Sequence, residues 1–287
     1  MSKKVSVGIV QMHCTESKGE NLKKVLMAID DCAKKGAQIV CMPELFLGPY
    51  FCQQRDDKYF ALAEPVPGDA TEIFSKIAKE KNIVILFSVY ELASDGKRYN
   101  TVAVIDADGK LLGRYRKMHV PNDPEHGYDE TYYFAPGDLG FQVFETKYAK
   151  VSPMVCYDQW FPEGARMCAL KGAEILFYPT AIGWPQAERP NKAYFDRAEN
   201  DAWQVTQRSH AIDNHVFVAA VNRTQQEQGL NFWGTSFVCD PYGVVLKKAS
   251  ADKEENLVVE CDLGLIDLKR ADWPFLKERR IKIEVGG

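Results

Sequence analysis

No stretch of the 287-residue sequence reaches the roughly 18 consecutive apolar residues that a membrane-spanning helix needs. The opening MSKKVSVGIVQM has two lysines but alternates into strand-like spacing, with no apolar segment of signal-peptide length. A cytoplasmic location is the default expectation. Positive charge is also short: 36 Lys and Arg face 40 Asp and Glu, a formal charge of −4. That balance leaves no electrostatic footprint for nucleic acid. The longest basic cluster, Lys277 to Arg280, is broken by a glutamate and reads as a solvated or interface face. The eight cysteines include no CxxC pair and the five histidines no HExxH, which argues against a disulfide framework or a zinc site. Low-complexity linkers, internal repeats and composition shifts are missing too, so one domain over residues 1–287 is the simplest expectation.

What is present is an alternation of strand and helix patterns. Val5 to Met12 spaces its apolar residues as a strand. Asn21 to Ala33 carries Leu22, Val25, Leu26, Ile29, Cys32 and Ala33, the stripe of a helix packed on a sheet, and Gly36 closes it. Ile39 to Met42 is a short apolar strand. Strand, helix and strand within about forty residues form a βαβ unit and predict parallel pairing. Thr71 to Lys81 reads as a second helix and Ile83 to Val89 as a buried strand. Tyr99 to Asp106 and Leu111 to Arg116 flank Asp108-Gly109, a hairpin signal.

Lys117 to Gly140 reads as a long loop, and loops of that length inside a compact domain are usually functional. Phe141 to Phe144 and Val151 to Val155 bring back strands, and Pro162 to Gly172 a helix. Ile175 to Tyr178, ended by Pro179, is a strand, and Lys192 to Asp213 a helix. The strands Val216 to Val221, Phe237 to Cys239, Val244 to Lys247 and Asn256 to Leu263 complete the pattern. About a dozen strands would overfill one open sheet, so two packed mixed sheets with helices outside are expected.

Three ionisable residues stand just past strand ends: Glu44, Lys117 and Cys156. Singly, each has a bland reading: a turn cap, a surface charge, one more buried small residue. In a mixed sheet, however, the carboxyl ends of like-directed strands gather at one edge. A carboxylate, an ammonium and a thiol meeting there would supply base, oxyanion donor and nucleophile for acyl transfer. Cys156, near a helix amino end with a cation nearby, is a candidate thiolate.

The blocks Pro43-Glu44-Leu45-Phe46, Tyr115-Arg116-Lys117-Met118-His119 and Val155-Cys156-Tyr157-Asp158-Gln159-Trp160-Phe161-Pro162-Glu163 resemble, in order and spacing, those of the nitrilase superfamily of carbon-nitrogen hydrolases. The resemblance runs from about Val5 to Arg280. It implies a four-layer αββα sandwich, a Glu-Lys-Cys triad on Glu44, Lys117 and Cys156, no metal and no cofactor, a small-molecule substrate, and a homo-oligomer. A fourth family glutamate matches Glu130, with Glu125 as its rival.

Within the superfamily the likeness is strongest to the N-carbamoylputrescine amidohydrolases, through Pro49 to Gln53, Gly172 to Gly183 and Asn231 to Ser236. Relatives acting on N-carbamoyl amino acids clamp a carboxylate with arginines just after the cysteine, where Gln159 and Trp160 stand here. An uncharged pair there suits a cationic amine tail better than a carboxylate. Candidate contacts to such a tail are Tyr50, Tyr157 and Trp184, with Asp123, Glu125 and Glu188. Tyr157 departs from the usual tryptophan, and the tail IKIEVGG from the usual proline-containing ending. Another amidase of the superfamily, or an idle binding scaffold of the same fold, are the competing readings.

Overall fold

A computed structural model describes residues 3–187 and 190–281; Glu188 and the tail from 282 onward lie outside the described residues. The chain opens with β1 (Lys4–Gln11) and crosses through α1 (Lys18–Lys34) to β2 (Ile39–Cys41). It then passes through α2 (Asp69–Lys81) to β3 (Val84–Leu92), followed by β4 (Arg98–Ile105) and β5 (Leu111–Arg116). The long loop after β5 contains a small ribbon, β6 (Asn122–Asp123) and β7 (Tyr128–Asp129). Next come β8 (Phe144–Glu145), β9 (Lys150–Pro153), α3 (Pro162–Leu170), β10 (Ile175–Thr180), β11 (Gly183–Pro185) and α4 (Lys192–Asn214). The last elements are β12 (Phe217–Asn222), β13 (Thr224–Glu227), β14 (Leu230–Trp233), β15 (Phe237–Cys239), β16 (Val245–Lys248), β17 (Glu255–Asp262) and α5 (Gly264–Asp272).

Two six-stranded mixed sheets result, ordered β17-β1-β2-β3-β4-β5 and β16-β15-β12-β10-β9-β8. The central strands of each are parallel, as the crossover helices require. The strands between the layers send alternate side chains to two cores. Val84 and Leu86 of β3, with Val102 and Val104 of β4, join the core shared by the two sheets. Ile85, Phe87, Ala103 and Ile105 join the core beneath α1 and α2. Strands buried on both faces therefore read as near-continuous apolar runs. Each such valine, leucine or isoleucine contributes about 1.5–3 kcal/mol of burial. Trp203 and Ala211 of α4 and Ala165 and Cys168 of α3 cover the outer face of the second sheet, completing the expected αββα order.

Several boundaries differ from the sequence reading. The strand read as Val151 to Val155 stops at Pro153, and the one read as Phe141 to Phe144 survives only as Phe144–Glu145. Pro179 does not end β10. It pairs with Val221 on one side and lies beyond the last residue that β9 matches on the other, so no neighbour needs its missing N–H. The β13–β14 hairpin and α5 were not expected. No helix among the described residues is long and apolar enough to cross a membrane.

Register explains the placement of the site. β2 runs parallel to β3, and β5 lies two antiparallel steps from β3, so β2 and β5 end at the same edge. β9, β10 and β12 likewise share one direction. Helix α4, which walls this region, ends at His215 with φ +52°, in the left-handed region. The His215 ring packs on Phe275, with centroids 5.2 Å apart, and neither ring nitrogen has a hydrogen-bond partner. Burial first, then Lys269, Arg270 and Arg166, pushes its imidazole down to about 4. The unfolded chain protonates first, so this group's contribution to stability is whole above about pH 6.5 and is lost as pH falls toward 4. His215→Asn keeps a residue that tolerates positive φ and removes the titration. Thermal melts between pH 7 and 4.5 should show a shallower fall in Tm for the variant; parallel slopes would refute this account.

Candidate active site

Glu44 follows β2 by three residues, at a turn where Leu45 adopts φ +49° and donates its N–H to Ser88 Oγ at 2.9 Å. The Glu44 side chain is fully buried. Its Oε1 accepts from Asn100 Nδ2 at 2.6 Å and from Lys117 Nζ at 2.9 Å, while Oε2 is buried with no hydrogen-bond partner. Lys117, the residue after β5, is also fully buried, and its backbone N–H reaches Asn100 O at 2.8 Å. Its ammonium donates to both oxygens of Glu130, at 2.8 and 2.6 Å. Glu130 opens a short 3₁₀ turn and accepts a third bond from Tyr50 Oη at 2.5 Å.

Cys156 begins another 3₁₀ turn, Cys156–Trp160, between β9 and α3. Its φ of +42° is a backbone state that a side-chain-bearing residue adopts at a cost of about 1–3 kcal/mol. Asp158 fixes that turn. Its carboxylate accepts from the N–H of Val155 at 2.9 Å, from Tyr115 Oη at 2.8 Å and from the His119 N–H at 2.9 Å, and it pairs with His119 Nδ1 at 2.7 Å. The Cys156 turn is thus tied to the strand end that carries Lys117.

Charge at this centre is set by burial. Desolvation alone would lower the Lys117 ammonium, but Glu130 and Glu44 overcome it and hold the group well above its usual value. Glu130 is pushed up to about 7 by burial and by Glu44, against the pull of Lys117. The Cys156 thiol is raised well above 9, first by burial and then by Glu44, with Lys117 opposing. The candidate thiolate is therefore corrected: burial first, and then Glu44 against Lys117, favour the protonated sulfur.

The thiol opens onto a cavity of about 390 Å³. Tyr157, Trp160, Tyr128 and Trp233 form its aromatic walls, and Asp123 and Glu199 are its carboxylates. No lysine or arginine stands among the described residues lining it. Among the described residues, no group of three or more His, Cys, Asp or Glu side chains could hold a metal ion.

The remaining sequence candidates divide. Tyr157 lines the cavity. Tyr50 stands behind Glu130, its ring against Tyr128 and Phe232, and does not line it. Trp184 lies on the far side of Trp233, donating its indole N–H to Asp196 O at 2.8 Å. Glu125 is exposed and faces a neighbouring depression with Gln53 and Gln186; it is Glu130 whose carboxylate reaches Lys117. Glu188 is outside the described residues. Gln159 turns away from the cavity, accepting from Trp203 Nε1 at 2.7 Å and Gln207 Nε2 at 2.6 Å, whereas Trp160 faces it. Sequence reasoning missed Asn100 and Glu199. Asn100 had a signal, a polar residue inside the apolar run Tyr99 to Ile105; Glu199, on a long helix rich in charges, had none.

A model of the carbon-nitrogen hydrolase family matches residues 6–271. An N-carbamoylputrescine amidase of Oryza sativa subsp. japonica is 44% identical over 286 residues, covering 96% of this chain and 92% of that protein. A citrullinase of Francisella tularensis subsp. tularensis is 39% identical over 282 residues, with 96% and 95% covered. A solved structure of a carbon-nitrogen hydrolase from Helicobacter pylori G27 aligns with a TM-score of 0.90 at 37% identity over 96% of each chain. Family model, relatives and fold agree: the chain belongs to the carbon-nitrogen hydrolases of the nitrilase superfamily, amidohydrolases of small molecules.

Proposed function

We propose that this protein hydrolyses the ureido group of an N-carbamoyl amine, with N-carbamoylputrescine as the substrate that fits best, to the free amine, carbon dioxide and ammonia. The observation that carries this reading is a buried thiol beside a Glu–Lys–Glu charge cluster, opening onto an aromatic cavity lined by Glu199 and by Asp123, which pairs with His126 Nδ1 at 2.8 Å, and by no lysine or arginine among the described residues. The relatives named N-carbamoylputrescine amidase support this class of substrate.

As substrate enters, the Cys156 thiol transfers its proton to the unpartnered Oε2 of Glu44 while the sulfur attacks the carbamoyl carbon. Lys117 Nζ and the backbone N–H of Tyr157 hold the oxyanion. A preorganised donor of this kind is worth about 3 kcal/mol at the barrier. Glu44 returns the proton as the carbon–nitrogen bond breaks, releasing ammonia and leaving the carbamoyl group on sulfur. Water deprotonated by Glu44 then attacks that carbonyl, and the sulfur leaves with its proton restored. The freed carbamic acid loses carbon dioxide. Glu130 keeps Lys117 charged and aimed throughout, acting through its two hydrogen bonds to Nζ.

Asp123 and Glu199 supply the electrostatic preference for a cationic tail. A carboxylate-tailed ureido compound would find no lysine or arginine among the described lining residues to clamp it, which favours the amine over the N-carbamoyl amino acids.

Two measurements test the reading. Cys156→Ala should leave the circular dichroism spectrum and Tm near those of the parent while abolishing ammonia release; turnover in that variant would remove the mechanism. In a panel of N-carbamoylputrescine, N-carbamoyl-β-alanine, citrulline, N-carbamoylbutylamine and a simple nitrile, kcat/KM should be highest for the first. Glu199→Gln with Asp123→Asn should raise KM for N-carbamoylputrescine about tenfold or more, and leave the uncharged butylamine analogue nearly unchanged. A preference for N-carbamoyl-β-alanine would overturn the substrate assignment.

A further inference from the structure

We propose that the buried ion pair Arg223–Glu227 is the positioning device for both carboxylates that flank Lys117. It holds Glu44 through its backbone and Glu130 through Tyr50. The inference rests on the reading of Glu44 as the base.

Arg223 leaves β12 of the second sheet and Glu227 ends β13, yet the hydrogen bonds of both side chains also reach outside their own hairpin. Both side chains are almost wholly buried. The guanidinium donates from Nε to Glu44 O at 3.0 Å, from Nη2 to Leu45 O at 2.7 Å and from Nη1 to Glu227 Oε2 at 2.6 Å. Two successive carbonyls are thus gripped by one planar fork, at the turn where Leu45 is forced to φ +49°. Arginine presents rigid donors for such a grip; lysine offers a single rotating point charge. That turn sets the direction in which the Glu44 side chain leaves the backbone.

Glu227 extends the device to the second carboxylate. Its Oε2 also accepts the Tyr50 N–H at 3.0 Å, and its Oε1 accepts the Cys14 N–H at 3.1 Å. Tyr50 in turn places its hydroxyl on Glu130 at 2.5 Å. A buried ion pair is a weak source of stability, because desolvation offsets much of the attraction. This one directs its hydrogen bonds to the two backbone segments that carry the base and the hydroxyl braced on Glu130.

A double-mutant cycle separates positioning from a general structural role. Arg223→Lys and Glu44→Gln are made singly and together, and folding is checked by circular dichroism. Steady-state turnover is measured on N-carbamoylputrescine and on a simple primary amide, and the rate at which acrylamide adds to Cys156 is read by intact mass, with Cys156→Ala as blank. Arg223→Lys should lower kcat and the alkylation rate about 10- to 100-fold, the scale of a base displaced by about 1 Å, while KM moves less than about threefold. In the Glu44→Gln background the same change should slow alkylation less than about threefold, because the group it positions no longer accepts a proton. Equal fold-losses in both backgrounds, or no loss in the parent, overturn the proposal. A Glu44→Gln enzyme of normal rate overturns the base assignment and this inference together, a result distinct from the other two. If Arg223→Lys does not fold, Glu227→Gln replaces it in the same cycle under the same criteria.

Discussion

One buried ammonium organises this molecule. Lys117 has no exposed surface, and a charge in that position survives only if its partners are close and fixed. Three hydrogen bonds to two carboxylates provide them, and each carboxylate arrives from a different part of the chain. Glu44 is delivered by the turn after β2 and Glu130 by the long loop after β5. Burial raises the proton affinity of Glu130 and of the neighbouring thiol, and Lys117 works against both shifts. Moving any one of the four groups would therefore change the protonation of the others.

The scaffold holds them with strain as well as with hydrogen bonds. Leu45 and Cys156 both occupy left-handed backbone, on two different sheets, at the edge where parallel strands end. Such conformations persist only where surrounding contacts over-determine them. At Leu45 those contacts are Ser88 and Arg223; around Cys156 they come from Asp158, which also grips Tyr115 and His119. The three blocks that stood apart in the sequence are thus joined directly by side-chain bonds.

Much of this was legible beforehand, for a physical reason. A strand buried on both faces is apolar throughout, so the carboxylate of Glu44 just past β2 is conspicuous; Lys117 and Cys156 also stand just past strand ends, although β5 is an edge strand that carries two arginines of its own. The chain could also be read as two sheets, since its strands outnumber what one open sheet carries. Glu130 lay in a loop without periodicity, and only the family likeness singled it out from Glu125. The walls of the cavity were harder. Tyr50 and Trp184 have the right chemistry but point behind the wall, and side-chain direction in irregular backbone is not encoded by spacing. Glu199 looks like any solvated charge on α4 until the helix is docked. Thr224 to Trp233 alternates weakly through three glutamines, so that hairpin had little signature, and the protonation of Cys156 depended on burial together with three charges distant in the chain.

That protonation bears on how the protein fares in the cell. All eight cysteines are buried, and Cys156, which lines the cavity, has a thiol whose burial favours the protonated form. Oxidants and stray electrophiles consume thiolate rather than thiol. Under the proposed mechanism, the sulfur becomes nucleophilic only when a guest brings its carbonyl alongside the Glu44 carboxylate, and such an enzyme would resist peroxide without any dedicated guard.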